Sequence, residues 1–179
     1  LEEDRALIGD LKAVRVDLKG PVTEEMANQI QRVIKEQVQA EEVNFVCLWV
    51  NSPGGSLEAS STLAAFLSSP VFDDVMTVAY IPSEALSDAA LVALACDQVV
   101  MHPSAELGGS GAYNFSDREI EETVDALSTP KGSWKLHSWS LPAAMIDRDL
   151  KVFRCERPGE TAYFCEEELQ QRNEVLKLK

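Results

Sequence analysis

Runs of alternating or continuous apolar residues take turns along this chain with runs in which apolar positions recur at helical spacing. Ala13-Val14-Arg15-Val16-Asp17-Leu18 alternates like a strand and stops at Gly20-Pro21. Thr23 follows as a helix cap, and Met26, Ile30, Val33, Ile34 and Val38 line one face of the helix it starts. Phe45 to Val50 is almost continuously apolar, which predicts a central strand covered on both faces. It runs directly into Asn51-Ser52-Pro53-Gly54-Gly55-Ser56 and then into a helix from Leu57 to Leu67, ending near Ser68-Ser69-Pro70. A third strand is expected over Val75 to Tyr80, an apolar helix over Ala89 to Ala95, and a fourth strand over Asp97 to Met101, closed by His102-Pro103.

The order to this point is strand and helix repeated, which argues for an α/β fold with a parallel sheet. Beyond Phe115 the pattern changes. Ser116 to Leu127 is an acidic helix with Ser116 as cap and Glu119 in capping-box position. Ser128 to Ser140 is irregular, Leu141 to Ile146 a short helix, Lys151 to Phe164 a hairpin turning at Pro158-Gly159, and Glu166 to Leu176 a terminal helix. Residues 1–150 therefore form the main body, with 151–179 a hairpin-and-helix appendage of the same domain.

Composition narrows the function classes. Thirty acidic residues against 16 basic ones give a net charge of −14, which repels phosphate backbones and anionic headgroups, so nucleic acid is not an expected partner. No apolar run approaches the ~20 residues that span a bilayer, and the opening residues are not expected to be a signal peptide. The first residues, Leu1-Glu2-Glu3-Asp4, lack a Met and read as the start of a piece of a longer protein. Cys47, Cys96, Cys155 and Cys165 lack metal-ligand spacing, and with only His102 and His137 beside them no metal or other cofactor is expected. Cys47 and Cys96 read as core thiols. A two-residue hairpin turn sets Cys155 opposite Ala162, so a disulfide between Cys155 and Cys165 needs another register.

The chemistry is expected where the strands end. Two glycines after a strand and before a helix free the backbone to aim N–H groups at a ligand oxygen, as oxyanion-stabilising enzymes require. In an open α/β sheet three turns should meet there: Ser52 to Ser56, Ser83 to Ser87, and Glu106 to Gly111. Ser87, among Ala85, Ala89 and Ala90, is the candidate nucleophile; its plain alternative is a helix N-cap.

Four segments in order, Ser52-Pro53-Gly54-Gly55, Ser83-Glu84-Ala85-Leu86-Ser87-Asp88-Ala89, Ala95-Cys96-Asp97 and Met101-His102-Pro103-Ser104-Ala105-Glu106-Leu107-Gly108, resemble the ClpP/crotonase superfamily. The likeness is strongest to the NfeD and SppA type of membrane-associated bacterial Ser-Lys serine proteases. It covers residues 12–115 well and the remainder loosely, where Ala143-Ala144-Met145-Ile146-Asp147 also looks NfeD-like. The resemblance implies a parallel β-spiral with outer helices, Ser87 as nucleophile, and an oxyanion hole from the N–H groups of Gly54, Gly55 and Asp88. It implies a lysine base in a desolvated pocket, well downstream of the serine. The implied spacing arrives at Ser128; the nearest lysines are Lys131, taken as the base, and Lys135. His137, with Asp147 or Asp149 to orient it, is a weaker base candidate.

The resemblance further implies a peptide or protein substrate of apolar character, a homo-oligomer, a membrane-protein partner, and an extracytoplasmic place in a bacterial cell envelope. Two departures matter. Ser83 replaces a glycine, and Asp88 places a carboxylate directly after Ser87, where it would oppose developing negative charge unless it points away. A catalytically inactive homologue acting as an assembly or membrane-partner module is therefore the alternative. An acyl-CoA hydratase or isomerase of the crotonase branch is weaker still, because no acidic pair stands out as acid and base.

Overall fold

The computed structural model describes residues 10–40, 42–109, 111, 114–128, 138–157 and 160–177. Four parallel strands form its central sheet: β1 (Ala13–Lys19), β2 (Phe45–Asn51), β3 (Met76–Ile81) and, after the two-residue β4 (Glu84–Ala85), β5 (Gln98–Met101). Their order is β1-β2-β3-β5, with Val16 beside Leu48, Leu48 beside Ala79, and Ala79 beside Val99. The connecting helices are α1 (Glu24–Ala40), α2 (Leu57–Leu67) and α3 (Ala89–Leu94). Thr23 Oγ1 accepts from Met26 N–H at 3.2 Å, and Ser56 Oγ accepts from Ala59 N–H at 3.2 Å, so α1 and α2 both begin on a side-chain cap.

The core lies on the helical side of this sheet. Leu18, Val46, Leu48, Val50, Ala79 and Ile81 are fully buried together with Ile34, Leu63, Leu67 and Leu91. The expectation that β2 is covered on both faces is corrected: its alternate residues Phe45, Cys47 and Trp49 are only half-buried. That second face is apolar nonetheless. Arg15 lies over the Trp49 ring at 3.8 Å, and Trp49 packs on Tyr80 at 4.6 Å between centroids, so these side chains shield one another. Cys47 sits on this face rather than in the core, while Cys96 is buried; burial raises the Cys47 thiol pKa.

A second, small parallel sheet pairs β4 with β6 (Glu106–Leu107), which the sequence patterning did not show. Beyond it come α4 (Asp117–Ser128), α5 (Ser140–Ile146), the hairpin β7 (Val152–Arg157) and β8 (Glu160–Cys165), and α6 (Glu166–Lys177). The hairpin register does set Cys155 opposite Ala162, and all four cysteines are free. Glu168 fastens this C-terminal part. Its buried carboxylate accepts from Ser138 Oγ, from the Ser140 N–H and Oγ, and from Arg172, tying the start of α5 to α6.

Candidate active site

The three turns expected at the strand ends do meet. Ser52 N–H donates to the Glu84 carbonyl at 3.0 Å, Leu86 N–H returns to the Ser52 carbonyl at 2.9 Å, and Gly108 N–H donates to the Ala85 carbonyl at 2.9 Å. The Pro-Gly-Gly turn is further held by Val22, whose N–H donates to the Gly54 carbonyl at 3.2 Å and whose carbonyl accepts from Ser56 N–H at 2.9 Å. Gly55 lies so close to Val22 that a side chain would overlap the Val22 backbone. Gly54 has φ +93°, and a Cβ there would stand 3.1 Å from Ser87 Cβ. Both glycines are thus required by geometry, the first for its φ and the overlap a side chain would make with the Asp88 carboxylate, the second for its closeness to Val22.

Ser87 does not cap α3. That position belongs to Asp88, while Ser87 holds φ +53°, a left-handed conformation that costs a non-glycine residue about 1–3 kcal/mol. Strain of this kind persists where surrounding contacts over-determine it, and here the space between Gly54 and Ser87 is too tight for a side chain at position 54. Gly111 closes another side, because a Cβ there would overlap the Pro53 carbonyl and approach Ser87 Cβ to 2.7 Å. Ser87 is only 4% exposed. A cavity of about 420 Å³ opens beside it, with walls from Phe115, Ile120, Met145 and Ile146 and polar groups from Asn114 and Arg148. Gly108, at φ +77°, lies where a side chain would overlap the Met145 sulfur, so the second glycine-rich loop and α5 form one wall.

Asp88 has a role that its sequence position hides. Its fully buried carboxylate accepts from Gly55 N–H at 2.8 Å through one oxygen and from Ser60 Oγ at 2.6 Å through the other. The side chain is therefore turned into the body of the protein, where it bolts the Pro-Gly-Gly turn and α2 to the Ser87 turn. Gly54 N–H also has an internal acceptor, Ser52 Oγ at 3.1 Å. Of the three expected oxyanion donors, only the Asp88 N–H has no acceptor among the described residues. The turns bring Gly54, Gly55, Ser87 and Asp88 together, whereas Lys131, Lys135 and His137 lie outside the described residues. His102 is exposed and shares a 2.7 Å hydrogen bond with Ser104 Oγ, and it does not line the cavity. The described lining holds no lysine, histidine or carboxylate that could act as base. Among the described residues no cluster of metal-binding side chains occurs, and no helix is long and apolar enough to cross a membrane.

Residues 13–130 match the NfeD1b N-terminal domain family. No curated protein matches in sequence. Among solved structures, the protein is similar to the 1510-N membrane-bound stomatin-specific protease as a lysine-to-alanine variant in complex with a substrate peptide, at 15% identity and TM-score 0.55, over 80% of this chain and 69% of that one. It is similar to a serine-to-alanine variant of the same protease at 14% identity and TM-score 0.56, over 80% and 73%. The form from Pyrococcus horikoshii, specific for a stomatin homolog, gives 17% identity and TM-score 0.55 over 79% and 66%. At these identities the structural likeness establishes the fold. The family match spans the central sheet and all three turns, and on it the protein belongs to the NfeD1b N-terminal domain family, with an α/β fold similar to that of the 1510-N protease.

Proposed function

We propose that this is the peptidase domain of a membrane-associated serine protease that cuts apolar peptide segments. The observation that carries this is Ser87, held at φ +53° beside a cavity whose lining mixes apolar and polar groups. A strained residue at the mouth of a pocket motivates a catalytic role, because folding stability alone would favour glycine there. Ser87 Oγ would attack the scissile carbonyl carbon. Lys131, as a neutral amine, would take the hydroxyl proton and pass it to the leaving amine, after which water releases the acyl group. Relatives of this fold solved as serine and lysine variants, one with a substrate peptide, support a search for that dyad here. The oxyanion would be met by the Asp88 N–H and by Gly54 N–H, once the Ser52 hydroxyl turns away. Gly55 would join them only by releasing the Asp88 carboxylate. Association into a homo-oligomer, contact with a membrane-protein partner and an extracytoplasmic location in a bacterial envelope are part of the same proposal.

One observation favours the second reading, a catalytically silent assembly module. Two of the three candidate donors are satisfied inside the protein, which is how a scaffold without chemistry would be built. An apolar peptide library read by mass spectrometry separates the two. Cleavage by the parent, lost in Ser87→Ala and Lys131→Ala, is the expected result. Cleavage surviving Ser87→Ala removes the peptidase assignment, and loss in Ser87→Ala alone moves the base to Lys135 or His137.

A further inference from the structure

The cavity beside Ser87 holds information about what would enter it. Its volume of about 420 Å³ falls within the ordinary range for ligand sites of ~300–1,000 Å³. Phe115, Ile120, Met145 and Ile146 give it apolar walls suited to a large aliphatic or aromatic side group. Arg148 is the sole charged residue among the described lining, and it is exposed to solvent. Arg148 has no ion-pair partner among the described residues, although the sequence holds 30 acidic residues against 16 basic ones. The neighbouring Asp147 makes no ion pair with it among the described residues, and its Oδ1 accepts from the Asp149 N–H at 2.9 Å.

We propose that this cavity selects a peptide in which a large apolar residue adjoins a carboxylate, the apolar residue filling the pocket and the carboxylate pairing with Arg148. This rests on the peptidase assignment for the identity of the ligand as a peptide and deepens it by naming the substrate class. Arginine is the cation suited to the task, since its planar fork takes a carboxylate through two parallel hydrogen bonds. The net charge of −14 sharpens the inference, because the field of the whole molecule opposes acidic ligands and a preference for them needs a local cation. The carboxylate has two sources, an acidic side group or the terminal carboxyl of the peptide, which share this chemistry.

The test measures binding and does not depend on turnover. Four fluorescein-labelled peptides share a Leu-Ala-Leu core and end in Glu or Gln, each made as the free acid and as the amide. Their dissociation constants are measured by anisotropy on the whole protein bearing Ser87→Ala, with and without Arg148→Gln and Arg148→Lys. The expected result is about tenfold tighter binding of one carboxylate-bearing series over its neutral counterpart. The Glu-to-Gln arm reports a side-group carboxylate, and the acid-to-amide arm a terminal one. Arg148→Gln should bring the ratio close to one, and Arg148→Lys should restore part of it. A ratio near one in both arms, or a ratio that survives Arg148→Gln, overturns the proposal. Cleavage is scored separately with Ser87 intact. Its absence beside a preserved tenfold ratio would remove the peptidase assignment and leave the role of Arg148 standing.

Discussion

Asp88 follows the candidate nucleophile, where a carboxylate is electrostatically awkward, and the structure shows how the fold accommodates it. Both oxygens have donors, Gly55 N–H and Ser60 Oγ, and water has no access to the group. A buried acceptor with two donors is costly to remove, since each orphaned donor loses about 1–3 kcal/mol. Asp88→Ala should therefore lower stability by about 2–4 kcal/mol. Asp88→Asn should cost less than half of that, because its amide oxygen still accepts from Gly55 and its NH2 can donate to the Ser60 hydroxyl. Urea midpoints at matched m-values decide the matter, and an alanine variant as stable as the parent would mean the carboxylate is not a bolt. At this level the conformation of Ser87, unlike its candidacy as nucleophile, was not legible in the sequence. A serine before an apolar helix reads as an N-cap, and a positive φ leaves no trace in residue type unless glycine is used.

Among the elements, α4 shows how a local sequence rule reaches the site. Ser116 N–H and Oγ donate to Glu119 Oε2 at 2.8 and 2.6 Å, the reciprocal capping box expected from the spacing of these two residues. Ile120, one position on, is a wall of the cavity. The Ser116 hydroxyl, and after it the Ser116 N–H, hold the Glu119 carboxyl below its ordinary value of 4.5. A depressed carboxylate contributes stability that is present above the unfolded value and lost as pH falls through the folded one. The start of α4 should therefore loosen on acidification below the ordinary value, with the wall at Ile120 loosening with it. Amide exchange across residues 117–121, followed from neutral to acidic pH, should show protection falling in the parent and a flatter profile in Glu119→Gln. Identical profiles would contradict the assignment. The strands β4 and β6 were not legible for a different reason. Two residues, Glu84-Ala85 or Glu106-Leu107, are too few to display an alternation, and only tertiary pairing makes them strands.

For the whole molecule, a parallel sheet was legible because apolar runs bounded by glycine and proline alternate with helical ones, while the strand order β1-β2-β3-β5 emerges only from the pairing itself. The half-buried second sheet face was not, since Trp49 and Tyr80 are apolar whether helices cover them or they pack on each other and on Arg15. The convergence of the three turns was legible from their place at the strand ends, while the bond from Asp88 to Gly55 spans 33 positions and follows from no local pattern. The proposed role of Ser87 as nucleophile rests on its strained backbone at φ +53°. A fluorophosphonate reports on that most directly, because an activated serine displaces its fluoride and keeps the phosphonyl group as a stable adduct. Intact-mass and peptide mass spectrometry of the treated protein should show one adduct, on Ser87, that is absent from Ser87→Ala and slow to form in Lys131→Ala. A folded protein that acquires no adduct, or acquires it at another serine, would show that Ser87 is not the nucleophile.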